Sequence, residues 1–167
     1  EMLGAVGAAW LERLPAIIAG CARQWSLALE PPFTQLSINY AAPATRADGA
    51  PVVLKVCIPG DEFFTEAEAL RLFAGRASAQ LLDANLEQGA LLLERLQPGT
   101  LLRAVTDDAR ATHIAVTVMQ RLWRPVPAQH AFPSVARWVG NMARKAPALI
   151  GPGHPFPFTW IERALAL

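Results

Sequence analysis

The chain has 167 residues, a formal net charge of +1 and 53% hydrophobic residues, enough to bury the core of one domain, or of one lobe and part of another. Its 15 basic residues are scattered, which argues against nucleic-acid binding and against an anionic membrane surface. Cys21 and Cys57 fit no zinc or redox spacing, so we interpret them as small buried hydrophobic residues in a reducing, cytoplasmic setting. The apolar run over residues 4–20 contains two charged residues and a proline, and we expect it to be too interrupted to span a membrane.

The first part of the chain predicts a helix followed by a run of antiparallel strands. Apolar residues at helical spacing predict an amphipathic helix over residues 6–25, in which Pro15 leaves open a kink or a division into two pieces. The dipeptide Asp48-Gly49 is typical of a tight hairpin turn. The strands before and after that turn are predicted over residues 26–30, 36–42 and 51–58.

The next segment adds an inserted helix and two short strands to the same sheet. The helix is predicted from about residue 62 to Ala74, with Gly75 as its C-cap. The strands are predicted over residues 80–83 and 89–93. The fold class is therefore α+β, with a five-stranded antiparallel lobe that carries one inserted helix.

Beyond the break at Pro98-Gly99 the pattern becomes helical. Asp107 and Asp108 precede an apolar stripe, and we interpret them as helix-capping residues rather than as a catalytic pair. Trp123 and Trp138 fall on such stripes and are interpreted as core residues, with stacking on a sugar as the alternative. We divide the chain into an N-terminal helix, the lobe and a partial helical region, at residues 1–25, 26–99 and 100–167.

Lys55 lies in the middle of the third predicted strand. Side chains alternate between the two faces of a strand, so Lys55 shares its face with Val53 and Cys57. An ammonium group among apolar neighbours needs a partner. The alternative is a lysine on an edge strand whose aliphatic stem lets the charge reach water.

Glu66 is the better candidate for that partner. It falls on the stripe formed by Phe63, Leu70 and Phe73, whereas Glu68 lies outside it. A competing interpretation treats Thr65-x-x-Glu68 as a capping box, which would place Glu66 in the first turn of the helix. A lysine held by a glutamate is suited to binding the phosphates of a phosphoryl donor.

The order of these motifs resembles a known family. The runs at 36–40, 45–49, 53–55, 66–71, 81–84, 91–100 and 121–134 are similar to those of the aminoglycoside/hydroxyurea antibiotic resistance kinases, from about residue 10 onward. The resemblance implies a protein kinase-like fold and an ATP-dependent O-phosphotransferase that acts on a hydroxyl group of an aminoglycoside such as streptomycin.

The same resemblance implies roles for five residues. Lys55 would hold the donor phosphates, Glu66 would orient Lys55, and Ser37 would lie under the phosphates in the first hairpin. Residues 94–99 resemble the hinge between kinase lobes, where the Glu94 carbonyl and the Leu96 amide would bind adenine. The alternative for this segment is an ordinary strand that ends at a Pro-Gly turn. The cofactors implied are ATP and Mg²⁺, with the magnesium ligands outside this chain.

The chain departs from the family pattern in two ways. None of its three histidines is followed by aspartate, so neither the catalytic-loop aspartate nor a metal-binding aspartate can be assigned, and we expect the chain alone to be inactive. Residues 30–36, in the turn expected to cover the phosphates, contain no glycine. Two alternatives stay open: a related small-molecule kinase, and a non-catalytic interaction module that self-associates through residues 158–167.

Overall fold

Five strands form one antiparallel sheet in the order β1-β2-β3-β5-β4. The structure, a computed structural model, describes residues 4–34, 38–141 and Arg163. The α+β class with one helix inserted in a five-stranded antiparallel sheet is confirmed. The elements in chain order are α1 (Gly4–Gln24), β1 (Leu27–Leu29), β2 (Tyr40–Arg46), β3 (Pro51–Val56), α2 (Asp61–Phe73), β4 (Leu81–Asn85), β5 (Ala90–Glu94), a short 3₁₀ turn (Leu102–Ala104) and α3 (Asp108–Leu122).

The two faces of the sheet are covered by different helices. Leu54, Val56 and Ala90 pack against Trp10 and Cys21 of α1. On the other face, Cys57 and Leu91 pack against Phe63 and Ala67 of α2. Because opposed residues of neighbouring strands share a face, the pairing of Lys55 with Leu91 places this lysine on the α2 face.

Helix α1 continues through Pro15. Its buried residues Gly7, Trp10, Ile17 and Cys21 form one stripe toward the sheet. By length and composition alone, α1 is the one helix among the described residues that is long and apolar enough to cross a membrane. A helix that packs against a sheet within a protein core can satisfy the same criterion, so this finding does not identify α1 as a membrane span.

The second strand lies later in the sequence than predicted. β2 runs over Tyr40–Arg46 and contains Pro43, whereas the prediction ended at residue 42. The Pro43 carbonyl accepts a hydrogen bond from the Glu30 amide at 2.9 Å, just beyond the end of β1. The amide hydrogen that Pro43 lacks would point toward Glu30, which lies beyond the end of β1. No hydrogen bond within the paired part of β1 is therefore lost. The predicted turn is confirmed, with Gly49 at a φ of 82°.

Other boundaries differ by one or two residues. Helix α2 ends in a left-handed C-cap at Ala74, with Gly75 following it, so the prediction of Gly75 as the cap is wrong. β4 extends to Asn85, beyond its predicted end at residue 83. Leu82 is the extra residue of a bulge, because Leu81 and Asp83 oppose consecutive residues of β5.

The chain divides into two compact units, Glu1–Val126 and Pro127–Leu167. In the first unit α3 contains no buried residue, and Trp123 is 71% exposed. In the second unit residues 135–141 are helical, the Ser134 hydroxyl accepts a hydrogen bond from the Arg137 amide at 3.1 Å, and Trp138 is 67% exposed. The interpretation of these two tryptophans as core residues is therefore wrong. Apart from Arg163, residues 158–167, through which the alternative interaction module would self-associate, lie outside the described residues.

Candidate functional site

Lys55 and Glu66 form an ion pair in which the lysine Nζ lies 2.5 Å from Glu66 Oε1. The two side chains are 22% and 35% exposed. Lys55 sits at the centre of β3, opposite Ala41 of β2 and Leu91 of β5, so it is not on an edge strand. The contact between these two residues, inferred from the strand and helix periodicities, is thus present.

The start of α2 decides how Glu66 reaches the sheet. The Phe64 amide donates to the Gly60 carbonyl at 3.0 Å, and the helix begins at Asp61. Glu66 consequently lies beyond the first turn, three residues after the buried Phe63 and on the same helix face. The capping-box interpretation, which required a start near Thr65, is wrong.

Apolar side chains surround this ion pair. Cys57 is 4% exposed, and burial raises the pKa of its thiol to about 11, while Lys55 acts to lower that pKa and Glu66 to raise it. Leu91 and Ala67 complete the wall. The opposite charges of Lys55 and Glu66 compensate each other in these apolar surroundings. The Lys55 ammonium, which remains charged, can still interact with a further anion on this face of the sheet.

At the start of the hinge segment, residues 94–99, a hydrogen bond to a side chain replaces one to the backbone. The Glu94 amide donates to the Gln80 carbonyl at 2.9 Å, as expected for opposed strand residues. The Gln80 amide, however, donates to Glu94 Oε2 at 3.1 Å. The carboxylate thus takes the donor that regular pairing would direct to the Glu94 carbonyl. Leu96, the other residue inferred to bind adenine, is 57% exposed.

The β1–β2 loop, residues 30–39, is only partly described, and Ser37 lies outside the described residues. In its first part, the Phe33 amide donates to the Ala41 carbonyl at 3.0 Å. Glu30 forms an ion pair with Arg95 of the hinge segment, with 2.7 Å between Oε1 and Nη1. The sequence analysis missed this pair, because no helix or strand period connects residues 65 positions apart.

Asp107 is the N-cap of α3. Its carboxylate accepts a hydrogen bond from the Arg110 amide at 3.0 Å, and Asp108 occupies the first turn. The capping interpretation of Asp107 is confirmed. Among residues 4–34, 38–141 and 163, no group of three or more His, Cys, Asp or Glu side chains could hold a metal ion.

Two open grooves lie away from the ion pair. One, of about 390 Å³, is lined by residues that include Trp25, Arg46 and Asp83, and the other, of about 430 Å³, follows α1 past Arg13 and Cys21. Neither is lined by Lys55 or Glu66. The chemistry of the ion pair, rather than the size of a groove, marks the candidate site.

A sequence profile described as aminoglycoside/hydroxyurea antibiotic resistance kinase matches residues 30–153. The chain belongs to this kinase family. The matched region includes β3, α2 and the hinge segment, so Lys55, Glu66 and Glu94 all lie within the family portion of the chain. The five-stranded sheet with its inserted helix is consistent with a kinase-like fold.

Individual members of the kinase family give the same picture. The chain is 31% identical to a streptomycin 6-kinase of Streptomyces griseus over 147 residues, which cover 88% of this chain and 48% of that protein. It is 36% identical to a hydroxyurea phosphotransferase of Kitasatospora aureofaciens over 141 residues, covering 84% of this chain and 40% of that protein. A streptomycin 6-kinase of Streptomyces glaucescens is 29% identical over 147 residues. The chain spans about half the length, or less, of the curated relatives it matches.

Proposed function

We propose that this chain forms the nucleotide-binding part of a cytoplasmic, ATP-dependent phosphotransferase that modifies a hydroxyl group of an aminoglycoside such as streptomycin. The observation that carries the proposal is the Lys55–Glu66 ion pair on the α2 face of the sheet. Family membership and the names of the relatives, streptomycin 6-kinase and hydroxyurea phosphotransferase, support it.

In this proposal Lys55 binds the donor phosphates and Glu66 holds the ammonium group in place. Phosphoryl transfer depends mainly on positioning and on stabilising negative charge, which a lysine fixed by a carboxylate provides. The Glu94 carbonyl would accept a hydrogen bond from the adenine amino group, and the Leu96 amide would donate to the ring. The hydrogen bond from Gln80 to the Glu94 carboxylate supports the first of these contacts. Ser37 remains a proposed residue beneath the phosphates.

A calorimetric titration of the 167-residue chain with ATP, with and without magnesium chloride, tests the nucleotide-binding part of this proposal. We expect saturable binding by the wild-type chain and an affinity at least about tenfold lower in Lys55→Ala, because a charge-assisted contact to phosphate is lost. Arg46→Ala is the control, since this exposed cation lies at the end of β2, where it pairs with Asp48. A folded wild-type chain that does not bind ATP, or a Lys55→Ala variant that binds it equally well, would overturn the proposal.

The acceptor and the expected inactivity of the chain alone require a separate assay. Phosphate transfer from ATP should be measured with streptomycin and with hydroxyurea as the offered acceptors. Turnover of streptomycin that disappears in Lys55→Ala would contradict the expectation that this chain is inactive alone. Turnover of hydroxyurea without streptomycin would instead identify a related small-molecule kinase.

A further inference from the structure

The Glu94 side chain takes part in a hydrogen bond that regular strand pairing would give to its own backbone. Leu81 of β4 lies opposite Leu93 of β5, so the register places Gln80 opposite Glu94. The Glu94 amide donates to the Gln80 carbonyl at 2.9 Å. In an antiparallel pair of this type the two residues exchange both hydrogen bonds. Regular pairing would therefore direct the Gln80 amide to the Glu94 carbonyl.

The pairing of β5 with β3 shows to which side the Glu94 backbone is directed. The Cys57 amide, just after the end of β3, donates to the Gly89 carbonyl at 2.8 Å, and β3 and β5 pair in a continuous register. Hydrogen-bonded positions recur at every second residue, so Leu91 and Leu93 also direct their backbone groups to β3. Glu94 follows Leu93 and therefore directs its amide and its carbonyl to the opposite side, toward β4.

The Glu94 carboxylate takes the place of that carbonyl as an acceptor. Glu94 Oε2 accepts the Gln80 amide at 3.1 Å, and a charged oxygen is a stronger acceptor than a neutral carbonyl. A backbone carbonyl has two acceptor positions, one of which a strand ladder normally uses. At Glu94, the last residue of β5, the donor for that position goes to the side chain instead. The carboxylate thus keeps an acceptor position available where the chain enters the hinge segment.

We propose that the Glu94 side chain is a positioning residue that makes the site prefer a nucleoside triphosphate whose base presents an amino group over one whose base presents a carbonyl. Adenine and guanine differ in this way at the same ring position. The carboxylate satisfies the Gln80 amide, and the Glu94 carbonyl then accepts the amino hydrogen of adenine. This inference rests on the proposed function, which assigns the adenine amino group to that carbonyl, and it adds the role of the side chain.

Guanine is disfavoured for a physical reason. Its ring carbonyl would face the Glu94 carbonyl, and two acceptors cannot form a hydrogen bond with each other. Each of them would lose water without gaining a partner, which lowers the affinity. If the Gln80 amide bound the Glu94 carbonyl, one acceptor position would be filled and the advantage of adenine would shrink. The preference for adenine therefore depends on the acceptor oxygen of the Glu94 side chain.

Two substitutions of Glu94 test the hydrogen bond. Glu94→Ala removes the side-chain acceptor, whereas Glu94→Gln keeps an acceptor oxygen at the same reach. Glu87→Ala is the matched control, because Glu87 is an exposed glutamate in the turn at the other end of the same two strands. Scalar couplings across hydrogen bonds, measured by nuclear magnetic resonance, identify the acceptor of the Gln80 amide. We expect coupling to the terminal carbon of the residue 94 side chain in the wild-type chain, Glu94→Gln and Glu87→Ala, and to the backbone carbonyl carbon of residue 94 in Glu94→Ala.

Calorimetric titrations with ATP, GTP and inorganic triphosphate test the preference for the base. The wild-type chain should bind ATP more tightly than GTP. Glu94→Ala should weaken ATP binding by about two- to tenfold, the effect of one hydrogen bond, and should change the affinities for GTP and triphosphate by less than about twofold. Glu94→Gln and Glu87→Ala should bind all three compounds as the wild-type chain does. A purely structural defect would instead lower the three affinities together.

Several results would overturn the inference while leaving the proposed function intact. One is a coupling from the Gln80 amide to the backbone carbonyl of Glu94 in the wild-type chain. Others are a wild-type chain that binds GTP as tightly as ATP, and a Glu94→Ala variant that keeps its affinity for ATP or loses affinity for all three compounds equally. A folded wild-type chain that binds neither ATP nor triphosphate would overturn the proposed function, and the preference for adenine with it.

Discussion

The two faces of the sheet are both apolar, but only one of them carries an ion pair. The α1 face consists of fully buried aliphatic residues such as Leu54 and Val56, packed against Trp10 and Ile17. The α2 face has a similar apolar wall, yet an ammonium and a carboxylate meet within it. Residues of one short strand, β3, supply both surfaces by simple alternation.

This difference separates residues that stabilise the sheet from residues to which the proposed function assigns ligand binding. Burial of aliphatic side chains is the main favourable term in folding, so the apolar residues of both faces stabilise the sheet, and on the α1 face they do so without a buried ion pair. An ion pair taken out of water loses hydration, and its attraction only roughly offsets that loss. Stability therefore explains Lys55 poorly, and the proposed binding of phosphates would explain it. Substitutions on the two faces should have correspondingly different effects.

The largest expected effect on stability is on the α1 face. Leu54 is fully buried, and Leu54→Ala should lower the free energy of unfolding by about 2–5 kcal/mol, because it removes apolar contacts and leaves a cavity. Val53→Ala, at a half-buried residue next to it on the α2 face, is the control and should cost less. Urea unfolding followed by circular dichroism measures both values. Equal losses for the two variants would contradict the assignment of the two faces.

The next effect concerns the ion pair itself. Lys55→Met leaves the Glu66 carboxylate without its partner and should lower the free energy of unfolding by about 1–3 kcal/mol. The double variant Lys55→Met with Glu66→Leu removes both charges, and its stability should return toward that of the wild-type chain. Its affinity for ATP should not return.

The same urea titrations, together with calorimetry, test this pair of variants. A double variant less stable than Lys55→Met would mean that the ion pair stabilises the fold directly. A double variant that binds ATP like the wild-type chain would separate Lys55 from the nucleotide altogether. Either result would remove the contrast between the two faces.

The contact between Lys55 and Glu66 could be predicted from local periodicity, whereas the position of β2 and the contact between Glu30 and Arg95 could not. Alternation along β3 and the stripe on α2 each involve a few neighbouring residues, so the meeting of Lys55 and Glu66 could be inferred. The position of β2 could not, because Pro43 is disfavoured in a strand unless its partner strand ends beside it. The contact between Glu30 and Arg95 depends on the strand order, which brings together residues 65 positions apart.

The smallest expected effect compares the two buried cysteines, one on each face. Burial raises the pKa of the Cys21 thiol on the α1 face and raises the pKa of Cys57 on the α2 face to about 11. A raised pKa means that the folded chain holds the thiol proton more tightly than the unfolded chain. The resulting stability of Cys57 is complete below about pH 9, the ordinary value, and is lost as the pH rises toward 11.

Urea unfolding between pH 8 and about pH 10.5, within the window set by that pKa, should show a smaller decline in stability for Cys57→Ala than for the wild-type chain. Of the two thiols, only that of Cys57 has a pKa affected by charged neighbours: Glu66 acts to raise this pKa and Lys55 acts to lower it. Glu66→Gln should therefore move the loss of stability to lower pH, and Lys55→Met to higher pH. Identical pH profiles in both variants would mean that the charges do not reach Cys57. Because Cys21 has no such charges among the causes of its shift, its contribution should be unaffected by either substitution.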